Sequence, residues 1–416
     1  MRYLCDTTVA RWLLCLTVIA LAAPASAQRY KSDAVESRLS SKGAIARRYA
    51  KSGTGDAQEF KEYVEKYFFP AMTQPTAEGL ADLEKLHGDL FKYYLYTSTG
   101  ETQKYMNQQA MEFAVRVLRA SYHPSVRYNA LLILGKLDDK YADPPTPSAK
   151  ACDLLCSLAS RALKNARVPN YELVGALIGL ERHAKYVRVL PSDQQKALAK
   201  TLYDVMSVDK LEGEFTPEVR EWVFVSAASA IANLGTPGPR GVFAAALTKR
   251  IGDESLSLES RATIAAALEK LNAKAGQFDG EPVVNAVIDL AAEIGKEEAE
   301  IANKFEDLQL QVGGGFIGAR GKLSRRIVQN AEREPTIVRE ALLALLVDLR
   351  DGVRAAKAIS PEPKQAAVAT IDDAVSNAIR VVSDKGKIDL DVSEAIKDMA
   401  EAIQGVANTE PLAAAE

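Results

Sequence analysis

The chain has 416 residues, of which 47% are hydrophobic and 26% are charged. This composition excludes an intrinsically disordered protein, because it supplies enough apolar side chains for a sizeable core. The 52 Lys and Arg oppose 55 Asp and Glu, so the net charge is -3, and we expect no nucleic-acid partner. Only three His and four Cys are present. They leave few residues for a metal centre or for a nucleophile with its base, so we expect no cofactor and no catalytic activity.

The amino terminus has the pattern of a secretory signal peptide. Basic residues precede an apolar run from Trp12 to Ala23, and the small residues Ala-Ser-Ala follow at 25–27. The run is shorter than the roughly 20 residues that a membrane-spanning helix needs. We therefore expect residues 1–27 to be removed, leaving an exported protein, periplasmic or extracellular, without a membrane span. An uncleaved anchor is the alternative, because the charged region before the run is long and contains Asp6.

Residues 28–56 form a basic segment between the signal peptide and the first predicted helix. Lys and Arg outnumber Asp33 and Glu36 there, and large apolar residues are almost lacking. A Gly- and Ser-containing stretch before Asp56 breaks the chain locally. We expect a flexible lead-in.

From residue 57 onwards the sequence has the period of helices. The stretch EFKEYVEKYFF, which begins at Glu59, repeats apolar residues at three- and four-residue spacing. Alternating β-branched runs joined by Asn-Gly or Asp-Gly turns, which indicate hairpins, are missing. The sequence therefore predicts an all-α protein with a helical repeat array over residues 57–312.

One short pattern recurs along this array. His123-Pro-Ser-Val-Arg127 and Thr216-Pro-Glu-Val-Arg220 both contain Pro-x-Val-Arg and continue into Ala- or Leu-rich helix. Proline suits the first helical turn, where its missing N–H costs nothing. Each copy follows another helical stretch, and a helix pair that recurs after roughly 40 to 50 residues is typical of a solenoid. Weaker copies surround Tyr171, Arg261 and Arg339.

At these residues the chain resembles the HEAT-repeat family, whose second helices often open with Pro-x-Val-Arg and continue into Ala and Leu-Gly. The resemblance covers residues 101–275 and, less closely, 320–358. It implies stacked antiparallel helix pairs that form an α-solenoid, with a curved surface that holds partners, usually proteins. It implies no catalytic residue, because the family shares none. A non-repetitive helical bundle is the alternative.

An arginine recurs at one position of the pattern. Arg127, Arg220 and Arg261 each fall in the first turns of a predicted second helix. We expect them to pair with carboxylates or carbonyls at neighbouring helix ends, and a role facing a ligand is the alternative.

The last part of the chain departs from the repeat. Residues 281–312 lack the Pro-x-Val-Arg opening and are predicted to form two helices, and a Gly-rich connector over 313–321 interrupts the array. A helical carboxyl-terminal extension is expected over 322–408, beginning with a helix from Lys322 to Glu332. We expect a disordered tail over 409–416.

The connector matches G-x-G-x-x-G but is not predicted to bind a dinucleotide. That fingerprint follows a strand, whereas a charged helical pattern precedes Gly313. Basic residues just behind the connector are nevertheless candidates for an anion site at a helix start. They are Arg320, Arg325 and Arg326.

Cys152 and Cys156 are spaced i, i+4 and therefore share one face of a predicted helix. Two thiolates are too few for a zinc site, and His87, His123 and His183 lie in different repeats. A disulfide between the two cysteines is one alternative in an oxidising compartment. Two buried thiols are the favoured one, because a bridge at this helical spacing is strained.

Aromatic residues are concentrated early in the chain and end at Phe316. The amino-terminal unit should therefore have the bulkiest core, and the last hundred residues should pack with Ala, Val, Ile and Leu. The stretch FKYYLYT also offers Tyr93, Tyr94 and Tyr96 as partner-binding residues. The helical period allows at most one or two of them to be exposed.

The leading hypothesis is an exported, non-enzymatic scaffold that binds a protein or peptide partner. One alternative is a helical enzyme or small-molecule binder with a pocket in the concave face of the array. Another is an envelope component that self-associates through its oppositely charged ends. The oligomeric state does not follow from the sequence.

Overall fold

The structure is a computed structural model, and it describes residues 30–313, 326–329 and 334–409. Helices dominate the described residues, which confirms the all-α class. The predicted signal peptide, most of the Gly-rich connector and most of the terminal tail lie outside the described residues. The chain divides into two compact units, residues 1–130 and 131–416.

The first unit is built from short helices and two π-helical turns. Its helices are α1 (Gly43–Ser52), α2 (Ala57–Tyr63), α3 (Phe69–Ala71), α4 (Ala77–Ala81), α5 (Leu83–Asp89) and α6 (Gly100–Leu118). The π-helical turns, Val64–Phe68 and Leu90–Leu95, follow α2 and α5. Asp56 starts α2 by accepting hydrogen bonds from two backbone N–H groups of its first turn. Helix α7 (Pro124–Lys136) begins in this unit and ends in the second.

The core of the first unit is aromatic, as the sequence predicts. Phe68 and Tyr94 are fully buried, with ring centroids 4.8 Å apart. The rings of Phe69 and Phe113 are tilted against each other, with centroids 4.9 Å apart. Aromatic side chains bury the most area each, so a few of them can hold a unit of short helices together.

Part of the predicted flexible lead-in instead belongs to this unit. Residues 37–52 form a 3-10 turn and helix α1, with Leu39, Ala46 and Ala50 buried. The amine of Lys42 also lies 2.7 Å from a carboxylate oxygen of Glu59 in α2. The sequence pattern concealed this helix because two of its buried positions are alanine rather than large apolar residues.

The second unit contains longer helices. They are α8 (Ala149–Lys164), α9 (Asn170–Lys185), α10 (Ser192–Ser207), α11 (Pro217–Leu234), α12 (Val242–Ile251), α13 (Leu258–Ala266), α14 (Glu281–Gly313), α15 (Arg339–Ile359), α16 (Glu362–Ser383) and α17 (Asp389–Thr409). Thr216 and Ser257 start α11 and α13, because each hydroxyl accepts a backbone N–H of the first turn.

Consecutive helices of this unit pack as pairs: α8 with α9, α10 with α11, α12 with α13, and α14 with α15. The first helix of each pair also packs on the first helix of the next pair, and the second helices do the same. Hydrogen bonds join neighbouring second helices, such as Ser229 Oγ to Glu181 at 3.0 Å and Thr263 Oγ1 to Asp348 at 2.6 Å. Each helix therefore buries its apolar stripe against both its pair and the adjoining pair.

The prediction of two helices over residues 281–312 is wrong, because α14 runs unbroken through this range. Its interior Gly295 allows a close approach of α17, since a Cβ there would lie 3.3 Å from the Cα of Ala400. Helices α14, α15, α16 and α17 pack in this order, and α17 returns to α14. The buried residues of α15 and α16 are Leu, Val, Ile, Ala and one Gly, close to the predicted composition.

Among the described residues, two short antiparallel strand pairs interrupt the helices, although the sequence pattern indicates no strands. Strand β1 (Asp138–Lys140) pairs antiparallel with β2 (Thr146–Pro147), and β3 (Ile327–Gln329) pairs with β4 (Pro335–Ile337). The prediction of a helix from Lys322 to Glu332 is wrong at the described residues of this range, because Ile327–Gln329 form strand β3. β-branched residues on both strands favour extended pairing over a helix here.

Candidate functional site

Three of the second helices, α9, α11 and α15, each carry exposed or half-buried apolar side chains along one stripe. On α9, Val174 and Ile178 are half-buried, and on α11 Trp222 is exposed and Val225 half-buried. Spacing of three or four residues places each set on one side of its helix. The second-helix surface, as we name it, consists of Val174, Ile178, Trp222, Val225, Ala344 and Val347, the last two on α15.

Helices α8 and α10 expose mainly polar side chains, with Tyr203 of α10 as the exception. Asp153, Ser157 and Arg161 follow the exposed side of α8, and Lys196 and Lys200 follow that of α10. A charged stripe is typical of a helix face that stays in water. Protein interfaces are depleted of charge at their centres, so the second-helix surface is the better candidate for a contact region.

Trp222 is the largest residue of the second-helix surface and is 38% exposed. It lies one turn after Glu218, whose pKa is lowered by a hydrogen bond from its own backbone N–H and by the Thr216 hydroxyl. Trp is among the residues that contribute most to protein binding when a partner covers them. The two tryptophans of the chain are Trp12 and Trp222.

A groove lies where α13 begins and α14 passes beside it. Its volume is about 610 Å³, within the usual range for ligand pockets. Residues of the turn before α13, of its first turn and of the middle of α14 line it. They are Glu254, Leu256, Ser257, Leu258, Arg261, Glu293, Lys296, Glu297 and Glu300.

Arg261 forms the inner wall of this groove and is held in place on both sides. It is buried, donates to the carbonyl of Ile251 at 2.6 Å, and forms a two-point contact with Glu293, one of its bonds being 2.9 Å long. Paired donors of this kind fix a guanidinium in one orientation. The guanidinium of Arg261 is therefore bound by groups of the protein itself.

Glu221 of α11 reaches the start of α13 beside the groove. Its carboxylate accepts hydrogen bonds from the hydroxyls of Ser257 and Ser260, both at 2.6 Å. Burial raises the pKa of Glu221, but these hydrogen bonds outweigh burial and leave the pKa below its ordinary value. The start of α13 therefore already has a negatively charged partner, as helix amino termini favour.

The sequence pattern does not reveal the groove. On α14 alone, Glu297 and Glu300 look like part of a solvated helix face. The available signal was the spacing of Glu293, Lys296, Glu297 and Glu300, which repeats on one side of a helix. That spacing does not reveal which other helix lies opposite.

The recurring arginines bind helix ends, as predicted, at two positions. Arg127 donates to the carbonyl of Leu118 at 3.4 Å, and Arg261 to that of Ile251. Each acceptor is the last residue of the preceding helix. At the end of α10 the same role falls to Arg250, which donates to the carbonyls of Met206 and Val208.

The three predicted partner-binding tyrosines lie at very different depths, as the helical period requires. Tyr94 is buried in the aromatic core, and burial raises its pKa. Tyr93 is half-buried with the guanidinium of Arg47 4.7 Å from its ring centroid. Tyr96 is 54% exposed. Of the three, only Tyr96 offers most of its ring to a partner.

The predicted anion-binding arginines are described only in part. Arg320 and Arg325 lie outside the described residues. Arg326 is 3% exposed and donates to Glu298 and Glu259, each at 2.9 Å. Its donors therefore face two carboxylates, an arrangement that opposes the binding of an anion.

Cys152 and Cys156 are free thiols on the buried side of α8. Each thiol shifts the pKa of the other: the hydrogen bond between them and burial raise the pKa of Cys152, and the same hydrogen bond lowers that of Cys156. The arrangement corresponds to the favoured alternative of two buried thiols.

The histidines do not converge with other metal-binding residues. His183 is fully buried on α9, and burial, with a smaller contribution from Arg182, lowers its pKa to about 4. The Nδ1 atom of His87 lies 2.9 Å from the amide oxygen of Asn129. Within the described ranges, no group of three or more His, Cys, Asp or Glu is placed to hold a metal ion.

No family model matches the chain, and it matches neither a curated protein nor a solved structure. Among the helices of the described residues, none has the length and apolar character needed to cross a membrane.

Proposed function

We propose that this chain is an exported helical-repeat scaffold that binds a protein or peptide partner through its second-helix surface. The signal-peptide pattern of residues 1–27 supports export to the periplasm or the extracellular space. The scaffold is proposed to be an α-solenoid similar to HEAT repeats over residues 149–359.

The packing of the helices supports the solenoid. In a solenoid, each repeat contacts mainly its neighbours, and equivalent helices of successive repeats lie side by side. Helices α8, α10, α12 and α14 pack in that order, as do α9, α11, α13 and α15. The packing of a non-repetitive bundle does not require two such ordered series of equivalent helices.

The observation that carries the binding function is the contrast between exposed stripes. Exposed positions of α8 and α10 are mainly charged or polar, whereas the outer face of α9 and α11 carries exposed Trp222 and half-buried Val174, Ile178 and Val225. Water solvates the polar positions well, whereas a partner that covers the apolar positions gains hydrophobic free energy. The second layer of helices is therefore the surface that association would stabilise.

Site-specific photocrosslinking tests this proposal with a matched control. A photoreactive amino acid replaces Trp222 in one variant and Tyr203, which lies on α10 and is equally exposed at 38%, in the other. Crosslinking in the native envelope fraction, followed by mass spectrometry, should give a discrete adduct from position 222 and none from position 203. Purified partner should then compete with the native partner for crosslinking at position 222. Trp222→Ala should weaken binding of the purified partner without changing the circular dichroism spectrum of the protein.

The proposal fails if both positions give the same adducts or if position 222 gives none. It also fails if Trp222→Ala and Tyr203→Ala reduce binding of the purified partner equally. Tyr96 of the first unit is a further contact position in the proposal, and the same reagent at residue 96 tests it separately.

A helical enzyme or small-molecule binder is the second candidate function. The groove beside α13 favours it, because its volume of about 610 Å³ would accommodate a small ligand. Its lining contains neither His nor Cys, and its single hydroxyl residue, Ser257, donates to Glu221. Thermal-shift screening of the purified protein with a metabolite library would support this alternative if a neutral or anionic compound raised the midpoint.

A further inference from the structure

The most exposed aliphatic side chains lie where α14 ends and α17 begins. Leu310, in the last turn of α14, is 76% exposed, and Ile388 and Leu390, at the start of α17, are 61% and 48% exposed. Among the described residues, no other Val, Leu or Ile side chain is exposed to this extent. We name Leu310, Ile388 and Leu390 the end patch.

The register of α14 and α17 brings the residues of the end patch together. Gly295 of α14 lies against Ala400 of α17. Towards the other end of the pair, Glu306 accepts a hydrogen bond from the hydroxyl of Ser393 at 2.8 Å, so the two helices run antiparallel. Leu310 lies one turn after Glu306 on the same side of α14. Continuing the register therefore places Leu310 beside the first turn of α17.

The end patch stands on a firmly held part of the second unit. Asp389, the residue between the two patch residues of α17, accepts the backbone N–H of Ile337 in β4 at 2.9 Å and a guanidinium N–H of Arg339 at 2.6 Å. On α14, Gln309 donates to the carbonyl of Pro335 at 3.0 Å. A surface that is already ordered loses little conformational freedom when a partner covers it.

The loop before α17 places a lysine beside the end patch. Lys385 is exposed and forms no ion pair with another residue of the described part of the chain. The neighbouring Asp384 carboxylate instead accepts the backbone N–H of Gly386 at 2.8 Å, and Lys387 lies 3.9 Å from Asp391. The ammonium of Lys385 is therefore the positive charge that a partner can pair on this side.

Carboxylates flank the end patch on the opposite side. Asp307 lies one turn before Leu310 on α14, and Glu394 lies one turn after Leu390 on α17. Both are exposed, and neither forms an ion pair with another described residue. Along the pair of helices, an unpaired lysine, an apolar centre and two unpaired carboxylates thus follow one another.

This order of charges makes the surface complementary to itself. In a two-fold contact, each copy presents the same surface, and residue i of one copy meets residue j of the other. Turning the end patch by 180° brings Lys385 of one copy opposite Asp307 and Glu394 of the other, while the apolar centres cover each other. An anionic lipid surface would attract Lys385 but repel the two carboxylates.

We propose that the end patch is the contact between two copies of this chain, related by a two-fold axis. The side chains of Leu310, Ile388 and Leu390 bury their apolar surface against the same residues of the other copy. The lysine and the carboxylates at the two sides fix the orientation of the contact. The proposal does not depend on the second-helix surface.

Sedimentation equilibrium of the purified protein tests the contact. The interface is small, so the dimer is expected to be weak. The apparent mass should rise from one chain towards two between about 1 µM and about 0.2 mM. Leu310→Glu should raise the dissociation constant at least about tenfold, because it places an unpaired carboxylate in the apolar centre. A wild-type protein that stays monomeric over this range would overturn the proposal.

A matched control separates the end patch from general effects of surface charge. Val189 lies on the 3-10 turn after α9 and is exposed almost as much as Leu390. Val189→Glu should therefore leave the dissociation constant unchanged. Circular dichroism should show native helix content in this variant and in Leu310→Glu, because both positions are exposed. Equal losses of dimer in the two variants would contradict the proposal.

A charge exchange tests the two-fold geometry. Lys385→Glu should weaken the dimer, and the loss should shrink as salt is raised. Adding Asp307→Lys and Glu394→Lys to this variant restores opposite charges across the axis, so it should recover the wild-type dissociation constant. Failure of the triple variant to recover affinity would exclude the proposed orientation.

Other occupants of the end patch give different results. Binding of a monomeric wild-type protein to phosphatidylglycerol vesicles, lost in Leu310→Glu, would assign the patch to a lipid surface. A loss of stability against urea in Leu310→Glu, without any wild-type dimer, would assign it to another part of the same chain. Both outcomes contradict the proposal. Crosslinking at position 222 is independent of these measurements, so the proposed function and the dimer can fail separately.

Discussion

Gly135 and Gly179 bring α7 and α9 into backbone contact in the second unit. A Cβ on Gly135 would lie 2.7 Å from the Cα of Gly179, and a Cβ on Gly179 would meet a methyl group of Leu155 at the same distance. Both glycines lie inside helices, where the residue is otherwise unfavourable. The close crossing is the physical reason for glycine at these two positions.

Gly179→Ala should therefore destabilise the protein by about 1–3 kcal/mol, because the added methyl group overpacks the crossing. Urea unfolding followed by circular dichroism measures this change. Gly88→Ala is the control, since a Cβ at Gly88 in α5 meets nothing within 4 Å. That variant should gain up to about 1 kcal/mol from helix propensity, and an equal loss in both variants would contradict the close crossing.

Acid should destabilise the second unit through His183. Its pKa in the folded protein is lowered to about 4, whereas the ordinary value is 6.5. Between these values the unfolded chain takes up a proton that the folded chain refuses. The stabilisation is therefore complete above pH 6.5 and is lost as the pH falls towards 4, by about 3 kcal/mol.

Urea unfolding at a series of pH values between 7 and 4 checks this prediction. In His183→Leu the part of the pH dependence that belongs to this residue should disappear, while half-buried His123→Gln should leave it unchanged. A pH dependence identical in His183→Leu and the wild type would show that another group is responsible.

Arg250 should be one of the most sensitive residues of the second unit. It is buried, its guanidinium carbon lies 3.9 Å from the ring centroid of Phe224, and it closes the end of α10 through the carbonyls of Met206 and Val208. Arg250→Met leaves these carbonyls and Asp253 without their donor, so we expect a loss of about 3–5 kcal/mol.

Thermal and urea unfolding of Arg250→Met measure this loss, and exposed Arg188→Met is the control. Arg250→Lys keeps the charge but not the planar fork, so it should recover only part of the stability. Full stability in the lysine variant would mean that charge alone matters at this position.

Cys152 and Cys156 should be inert in the folded protein and reactive after unfolding. Both are buried and free, and a buried thiol has little access to reagents. Alkylation in the native state and in denaturant, followed by mass spectrometry, should give labelling only in denaturant. Failure to label in denaturant unless a reductant is added would instead indicate the disulfide that the sequence analysis left as an alternative.

The helical repeat is visible in the sequence because its determinants are local. Pro217 at the first position of α11 and Ser257 at the cap of α13 act within one helical turn, and apolar spacing reports which side of a helix is buried. Even the role of Arg261 at a helix end was predictable from its recurrence. By contrast, α1 was missed because alanine gives a weak apolar signal.

The unbroken α14 shows a different limit of the sequence pattern. The sequence predicts two helices over residues 281–312, whereas α14 runs unbroken through Gly295. In the structure this glycine faces Ala400 of α17, so it serves a close helix crossing. A glycine that ends a helix and one that admits a neighbouring helix look alike until the neighbour is known.

The all-α class, the recurrence of helix pairs marked by Pro-x-Val-Arg and the aromatic core of the first unit follow from composition and periodicity alone. They depend on contacts within a helical turn or on the total amount of apolar surface. Tertiary structure decided which helices lie side by side, that Tyr94 is buried while Tyr96 is exposed, and that the start of α13 and glutamates of α14 line one groove. These properties depend on residues far apart in the chain, and the spacing along a single helix carries no information about what packs against it.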